Sequence, residues 1–390
     1  MKVRTLVVLF FNHFVNDFYS LLFPMFIPTL MLSLKINYFE ASILLSCVAI
    51  IGALFQSPIG YWADLYRKRV VFMALGFMCY AIGAIILGLS NGFYLLLASS
   101  FLVGLAHTTY HPQGTNIITK IFEKKGSALG IHGVGGQFGR FFSPILIAFL
   151  ISTLEWRKAA MVVALPALVA FFLSFVFLKE PAEKGEKGLT RAFTLPVLLL
   201  VLTLGLRSAI FQGTISFLPS FLVEKGSSLN LAGVLTGVML GTGILAQLIG
   251  GVIGDRVPKG RIIFLSLLGL TLFFLLFYFK VINQNASIEY GFLIFSLIGI
   301  GFCIFVTFPV GLALSAEITP GERVGASVGA VMGGGLILPS VTLPVVGFLI
   351  DKFGFKGGFG LLGLLATVAT LISIFYLKID SPSSPSSKKS

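Results

Sequence analysis

Long apolar runs separated by short charged segments constrain this chain more than any other feature of its sequence. A helix needs about 20 consecutive apolar residues to cross the hydrocarbon core of a bilayer. Backbone polar groups inside that core find no water, so a crossing segment must satisfy its own hydrogen bonds, as a helix does. We predict twelve membrane-spanning helices, near residues 5–33, 41–63, 70–90, 93–119, 127–152, 156–178, 194–223, 230–254, 261–282, 290–316, 325–350 and 357–377.

The composition places these helices in a lipid bilayer and argues against a nucleic-acid partner. Hydrophobic residues make up 56% of the 390-residue chain and charged residues 11%, against about 25% charged in a soluble domain. Such a chain has too few polar residues to cover a surface that faces water. Although the net charge is +13, the basic residues are scattered between apolar runs and do not form one basic face.

The two halves of the chain repeat each other at an offset of 191 residues. Shared apolar composition does not readily produce so many identities at one offset, so we interpret the repeat as a duplicated helical bundle. The identical pairs are Phe26 and Phe217, Pro28 and Pro219, Ala41 and Ala232, Gly52 and Gly243, Gln56 and Gln247, Gly60 and Gly251, and Asp64 and Asp255. The prediction is an all-α membrane protein with two pseudo-symmetric six-helix bundles, 1–178 and 194–377. A charged cytoplasmic linker at 179–193 joins them, and a disordered cytoplasmic tail follows at 378–390.

The distribution of Lys and Arg predicts the orientation in the membrane. Most of the 28 basic residues fall in segments that would be cytoplasmic if both termini are cytoplasmic, which agrees with the positive-inside rule. The start, Met1-Lys2-Val3-Arg4, mimics a signal peptide, but the apolar run continues to about Leu32 without a small-residue cleavage site. We therefore predict a retained first helix and a location in the plasma membrane.

A short charged loop follows both the second and the eighth predicted helix. Its residues are Gly60, Asp64, Lys68 and Arg69 in the first copy and Gly251, Asp255, Arg256 and Lys259 in the second. Twelve helices in two sets of six, with this loop in both sets, resemble the major facilitator superfamily. The resemblance implies gating loops in which each acid lies against the positive N-terminal end of a neighbouring helix. Arg67 and Pro258 stand where that family usually has glycine.

Four segments of the first half resemble a narrower group, the fosmidomycin-resistance branch of that superfamily. They are Asn12-His13-Phe-Val-Asn16-Asp17, Gln56-Ser-Pro58-Ile-Gly60-Tyr61-Trp62, Tyr110-His111-Pro112 and Gly133-Val-Gly135-Gly136-Gln137-Phe-Gly139. The resemblance implies export of a drug or metabolite. The chain departs from that branch at Gln113, where an acid is usual, and at Arg140, where a small residue is usual. The departure at Arg140 points to a different substrate.

Asp17 is the predicted proton-coupling residue. It lies deep within the first predicted helix, where a charged side chain costs about 2.5–3.5 kcal/mol on the insertion scale and is usually functional. His13 is four residues earlier, so both side chains share one helix face. Burial favours the neutral form of an isolated carboxylate and a nearby cation favours the charged form, so such a group can gain and lose a proton. His13 and His111 are predicted to modulate it.

Arg140 and Arg207 are predicted to contact an anionic substrate from opposite halves. A guanidinium stays charged in proteins and binds carboxylate or phosphate through two parallel hydrogen bonds. The alternatives are a permanent ion pair with Asp17 for Arg140, and a pairing with backbone carbonyls near Gln212 for Arg207. The further predicted substrate contacts are His107, Gln113 and Gln212.

His107 and His111 have the i, i+4 spacing of a helical zinc motif. The residues between them are Thr108, Thr109 and Tyr110, so the glutamate that would act as a general base is missing. A catalytic zinc site also needs three protein ligands. We therefore predict no metal and no cofactor, and an intramembrane metalloenzyme is the least favoured function.

These observations together predict a secondary active transporter and not an enzyme. The expected activity is movement of a small solute by alternating access, coupled to protons, with export of a drug or anionic metabolite. The alternative is an uptake permease for organic anions, because direction cannot be read from the sequence. The predicted partners are the substrate, protons and the bilayer, and the chain is expected to be a monomer.

Overall fold

The computed structural model describes residues 2–180, 194–284, 288–319 and 324–379, and the regular structure of these residues is helical. A 3-10 turn, Tyr19–Leu21, joins the first two helices, and a π-helical turn, Tyr278–Ile282, follows the tenth. The helices are α1 (Lys2–Phe18), α2 (Leu22–Leu34), α3 (Tyr38–Leu65), α4 (Arg69–Leu89), α5 (Phe93–Ile121), α6 (Lys125–Leu154), α7 (Trp156–Phe177), α8 (Leu195–Glu224), α9 (Leu229–Gly254), α10 (Lys259–Phe277), α11 (Tyr290–Glu317) and α12 (Val324–Ile379).

Eleven of the described helical segments are long and apolar enough to cross a membrane. The first of them, Lys2–Leu34, includes α1, the 3-10 turn and α2. Its break comes just before Pro24, which has no N–H and whose ring clashes with the carbonyl four residues earlier. In α12, Gly354 has a φ of 65° and a ψ of −173°, and glycine adopts this φ without a Cβ clash. That break falls between the predicted helices 325–350 and 357–377.

Only the beginning of the predicted linker is described. The rest of it, 181–193, and the predicted disordered tail beyond residue 379 lie outside the described residues. Glu180 has a structural role at the start of α4, where its carboxylate accepts hydrogen bonds from the backbone N–H groups of Arg69 at 2.9 Å and Val70 at 2.8 Å. The first N–H groups of a helix have no partner within the helix, and a carboxylate also stabilises the positive end of the helix dipole.

The described residues form two compact units. The first contains the chain before the linker together with Ile215–Gly241 and Ser340–Lys352, and the second contains the start of α8, Thr242–Pro339 and the described chain from Phe353 onward. Within the first unit α4 packs against α5 and α7, α1 against α6, and α3 against α5; within the second, α10 packs against α11. The first unit therefore draws on both halves of the sequence. The domain boundaries at 178 and 194 stay a prediction.

The N-terminus of α3 is held by a residue from the second half of the chain. The carboxylate of Asp351 accepts hydrogen bonds from the backbone N–H groups of Tyr38 at 3.0 Å and Phe39 at 2.8 Å. Asn37 and Glu40 complete a capping box, because each side chain accepts from the backbone N–H of the other residue. With these bonds the first three N–H groups of α3 have partners, two of them on a segment more than 300 residues away in sequence.

The two predicted gating loops differ in structure. In the first, Arg69 is fully buried and its Nη2 lies 2.7 Å from Asp64 Oδ1. Arg67 has a φ of 54°, in the left-handed region that favours glycine. In the second loop Lys259 forms an ion pair with Glu317. Gly251, Asp255 and Arg256 are exposed there, as Lys68 is in the first loop.

We expect Asp351→Ala to lower the free energy of unfolding by about 1 kcal/mol, the usual effect of removing a side chain that caps a helix N-terminus. The physical reason is that Tyr38 and Phe39 lose the acceptor for their backbone N–H groups. The midpoint of thermal unfolding in detergent measures the effect. Lys352→Ala is the matched control, because Lys352 is the adjacent exposed residue. Equal midpoints for the two variants would contradict the capping role.

Candidate functional site

Asp17 lies at the centre of a buried cluster of polar side chains in the first compact unit. It is the penultimate residue of α1 and is 1% exposed. Its Oδ1 accepts a hydrogen bond from Asn16 Nδ2 at 2.9 Å, and its Oδ2 lies 3.0 Å from Arg140 Nη2. His13 Nε2 is 3.5 Å from Oδ2, and His111 Nε2 is 3.5 Å from Oδ1. Four side chains from α1, α5 and α6 therefore surround one carboxylate.

Three glycines allow α6 to pack closely enough against α1 to form this cluster. A Cβ at Gly135 would collide with the carbonyl oxygen of Phe10, and a Cβ at Gly139 with that of Phe14. At Gly136 a Cβ would lie 2.5 Å from His13 Nε2 and 2.6 Å from Asp17 Oδ2. Small residues permit such close approach between membrane helices. The glycine segment therefore brings Arg140, on the next turn of α6, against Asp17.

Hydrogen bonds define which nitrogen of His13 carries its proton. His13 Nδ1 is 2.8 Å from the backbone carbonyl oxygen of His132. A carbonyl oxygen only accepts, so Nδ1 must be the N–H donor. The Nε2 atom, which faces Asp17, therefore has a lone pair when the ring is neutral. A lone pair facing a carboxylate oxygen is unfavourable unless a positive charge or a proton lies between the two atoms.

His132 and Tyr110 support His13 from the other side. The rings of His13 and His132 stack with their centroids 4.1 Å apart. Tyr110 Oη donates to the carbonyl oxygen of Leu9 at 2.6 Å and lies 2.8 Å from His132 Nε2. Because the single hydroxyl proton is directed to Leu9, the tyrosine oxygen accepts from His132 Nε2–H. This arrangement fixes the orientation of His132, which sequence reasoning had not assigned to the site.

Arg207 is stabilised differently from Arg140. Its Nε and Nη2 both donate to the backbone carbonyl oxygen of Ile304, at 3.0 and 2.8 Å. The guanidinium carbon also lies 5.8 Å from the ring centroid of Phe211 and 5.5 Å from that of Phe308, within the range of cation–π attraction. The carbonyl belongs to α11, so Arg207 pairs with the backbone of another helix. Substrate contact by Arg207 stays a prediction.

The remaining predicted substrate contacts lie in different surroundings. His107 is on α5 with its Nδ1 2.9 Å from Tyr80 Oη. Gln113 is 1% exposed, and its Nε2 has no hydrogen-bond partner among the described residues. Gln212 is partly exposed and belongs to the second compact unit, as Arg207 does. Of these three residues, His107 and Gln113 belong to the first compact unit, as Asp17 does, and Gln212 belongs to the second.

The cluster also contains a set of atoms with the spacing of metal ligands. One ligand atom each from His13, Asp17 and His111 lie within 4.8 Å of one another. A divalent ion bound to them would, however, lie beside the guanidinium of Arg140, and two cations at such a distance repel each other strongly in a low-dielectric environment. The geometry is better suited to a proton. The absence of a metal stays a prediction.

A charged cluster enclosed by apolar helices of membrane-spanning length is typical of membrane transport proteins, in which buried ionisable residues bind substrates or ions. Comparison with known proteins gives the family. The chain belongs to the Major Facilitator Superfamily, whose model matches residues 9–305 and 224–390. It is thus an integral membrane transporter and not an enzyme, which confirms both predictions.

Individual relatives agree with this assignment. The chain is 24% identical to the fosmidomycin resistance protein of Escherichia coli over 87% of this chain and 84% of that protein. It is 26% identical to the probable nitrate transporter NarT of Staphylococcus epidermidis, over 61% of this chain and 62% of that protein. The fold is similar to that of a bacterial homologue of the human lysosomal transporter Spinster in an inward-facing and unoccupied conformation. That similarity has a TM-score of 0.77 and 15% identity, and covers 97% of this chain and 98% of the other.

We expect Gly136→Ala to destabilise the protein by about 1–3 kcal/mol, the usual effect of inserting a methyl group into a packed site. The added Cβ would meet His13 and Asp17, so α6 would have to move away from α1. Thermal unfolding in detergent measures the loss. Gly133→Ala is the control on the same helix, because a Cβ at Gly133 meets nothing within 4 Å. Because alanine favours a helix more than glycine does, Gly133→Ala should not lower stability. A loss of similar size at Gly133 would show that the contact with His13 and Asp17 is not responsible.

Proposed function

We propose that this protein is a proton-coupled transporter of small anions that works by alternating access. The observation that carries the proposal is the contact between Asp17 and Arg140, surrounded by histidines, inside the first compact unit. In this proposal the protein has twelve membrane-spanning helices in two bundles, with Gly354 dividing the last described segment into two. Both termini are in the cytoplasm, as the positive-inside rule favours.

The transported proton binds between His13 and Asp17. His13 Nδ1 is already committed to the carbonyl oxygen of His132, so a proton can be added only at Nε2. That atom is 3.5 Å from Asp17 Oδ2, and a proton there removes the unfavourable meeting of a lone pair and a carboxylate oxygen. His111 lies against the other carboxylate oxygen and can take part in the same exchange. Asp17, His13 and His111 thus act as one proton-binding group.

The substrate anion binds to Arg140. The side chain of Arg140 is 25% exposed, whereas that of Asp17 is 2% exposed, so the arginine side chain is partly accessible from outside the cluster. An anion that bonds to this guanidinium weakens its attraction for Asp17 and makes protonation of the carboxylate easier. A guanidinium also matches planar anions such as nitrate and carboxylate with two parallel hydrogen bonds. The similarity to a probable nitrate transporter supports an anion as substrate.

This linkage favours co-transport of the anion and the proton in the same direction. Each ligand increases the affinity of the protein for the other, because both change the charge balance at the Asp17–Arg140 contact. Uptake of an organic or inorganic anion is therefore the function that the geometry supports best. Efflux by exchange is the second candidate, because the chain resembles a fosmidomycin resistance protein. Exchange requires the proton and the substrate to compete, so the two candidates differ in the sign of the linkage.

Calorimetry on the purified protein distinguishes co-transport from exchange. Nitrate, short-chain carboxylates and phosphonates are titrated into the protein in two buffers with different ionisation enthalpies. Proton uptake accompanying anion binding, with tighter binding at pH 6 than at pH 8, supports co-transport. Proton release on binding supports exchange. Thermal shift provides the first screen, since a ligand at 100 times its Kd stabilises the folded state by about 2.7 kcal/mol.

We expect Asp17→Asn to abolish most of the pH dependence of anion binding while binding itself is retained. The amide keeps the shape of the side chain but cannot hold the negative charge that competes for Arg140. Affinity at pH 8 should rise to at least that of the unaltered protein at pH 6, as measured by calorimetry. A variant with the ordinary pH dependence would show that Asp17 is not the coupling group.

We expect Arg140→Gln to weaken anion binding about tenfold or more. Hydrogen bonds to charged groups contribute about 1.5–3 kcal/mol each, and 1.4 kcal/mol corresponds to a factor of ten in Kd. Arg207→Gln is the comparison, because the guanidinium of Arg207 already donates to the carbonyl oxygen of Ile304. Its effect on affinity should be smaller. If the two effects are reversed, the anion site lies at Arg207.

A further inference from the structure

Tyr80 and Asn16 connect the proton-binding group to a histidine that does not touch Asp17 in the contacts described above. Tyr80 is on α4 and is buried. Its hydroxyl lies 3.1 Å from Asn16 Oδ1 and 2.9 Å from His107 Nδ1. Asn16 precedes Asp17, and its Nδ2 is 2.9 Å from Asp17 Oδ1 and 3.2 Å from His111 Nε2. A continuous chain of hydrogen bonds therefore runs from Asp17 to both histidines of α5.

The direction of each bond in this chain follows from the carboxylate at its end. A carboxylate only accepts hydrogen bonds, so the NH₂ group of Asn16 must face Asp17 and its Oδ1 must face Tyr80. The amide oxygen also only accepts, so the single hydroxyl proton of Tyr80 is donated to it. The tyrosine oxygen then accepts from His107, which requires an N–H at His107 Nδ1. No other assignment satisfies all of these contacts while Asp17 is charged.

The same reasoning determines which ring nitrogen of His111 carries the proton. The second N–H of the Asn16 amide is directed to His111 Nε2 at 3.2 Å, so this nitrogen is an acceptor and the neutral ring carries its proton on Nδ1. His13 also carries its proton on Nδ1, because of its bond to the carbonyl oxygen of His132. His13, His107 and His111 are thus all held in the tautomer with the proton on Nδ1.

We propose that Tyr80 and Asn16 are positioning residues that hold His107 and His111 in the Nδ1–H tautomer and so determine where the transported proton enters. This role rests on the proposed function, but the tautomers themselves do not require transport. Tyr80 acts on His107 directly and on His111 through Asn16. The charged and titratable groups around the pair are Asp17 and His13 on α1, His107 and His111 on α5, and His132 and Arg140 on α6.

A purely structural role for Tyr80 is the competing explanation. Its ring stacks on that of Tyr19 with centroids 4.2 Å apart and meets Phe77 at 6.4 Å, so it is also part of the packed interior. Removing only the hydroxyl separates the two roles. Tyr80→Phe keeps the ring and its stacking, but His107 loses the acceptor for Nδ1–H, and Asn16 loses the donor to Oδ1.

The experiment is ¹⁵N NMR of histidine-labelled protein in detergent micelles. The chain has four histidines, so four pairs of ring-nitrogen signals are expected, and His107→Gln identifies those of His107. In the unaltered protein at pH 8 we expect His107 and His111 in the Nδ1–H tautomer. In Tyr80→Phe we expect His107 to become a mixture of tautomers. The pH midpoint for protonation of His107 should also change by about 0.5, the size of effect expected from one lost hydrogen bond.

Tyr19→Phe is the matched control. Tyr19 is buried, stacks on Tyr80, and donates its hydroxyl to the carbonyl oxygen of Val163 at 2.6 Å. Removing this hydroxyl should lower thermal stability much as Tyr80→Phe does, but should leave all four histidines in their original tautomers. An unchanged His107 tautomer in Tyr80→Phe, or equal changes in both variants, would overturn the proposal.

The tautomer measurement and the anion-binding measurement can fail separately. If no anion binds at any pH but Tyr80→Phe changes the His107 tautomer, the positioning role stands and the proposed substrate class fails. If anion binding depends on pH as expected but the tautomers are the same in all variants, the proposed function stands and the positioning role fails. Calorimetric titration of nitrate into Tyr80→Phe then gives the functional effect, a shift in the pH midpoint of binding that Tyr19→Phe does not produce.

Discussion

The contact between the Asp17 carboxylate and the Arg140 guanidinium is the interaction on which the rest of the first compact unit depends. A charge buried without a partner is far more destabilising than a buried pair, so the surrounding structure must keep both groups in place. Gly135, Gly136 and Gly139 serve this requirement by letting α6 approach the backbone of α1. Asn16 donates a further hydrogen bond to the carboxylate, and one nitrogen of each of two histidines lies 3.5 Å from it. A site that needs every one of these contacts is sensitive to the gain or loss of a single proton.

The two compact units accommodate buried charge in different ways. In the first, opposite charges and titratable rings meet, so the charge state of one group alters the others. In the second, Arg207 donates to a backbone carbonyl and lies beside two phenylalanine rings, none of which titrates. The first unit thus contains a cluster of interacting ionisable groups, whereas the second contains a guanidinium bound to a backbone carbonyl.

Distant carboxylates complete the beginnings of two helices. Asp351 accepts from the first N–H groups of α3, and Glu180 accepts from those of α4. Each bond combines a charge-assisted hydrogen bond with the partial positive charge of about half a unit at a helix N-terminus. Both contacts join segments that are far apart in sequence. Bonds of this strength can be exchanged for water, as the proposed alternating-access mechanism would require.

The family, the helical membrane-spanning character and the identity of the main charged residues could be predicted from the amino-acid sequence. Apolar runs of membrane length can satisfy their backbone only as helices, and the four-residue spacing of His13 and Asp17 puts them on one face of α1. The sequence could not reveal that Tyr80 bonds to Asn16, or that Tyr110 and His132 support His13. It also could not reveal the enclosure of Gln113 or the carbonyl that binds Arg207. Helical periodicity specifies neighbours within a helix. Which faces of separate helices meet depends on close packing between segments distant in sequence, and only the tertiary structure decides that.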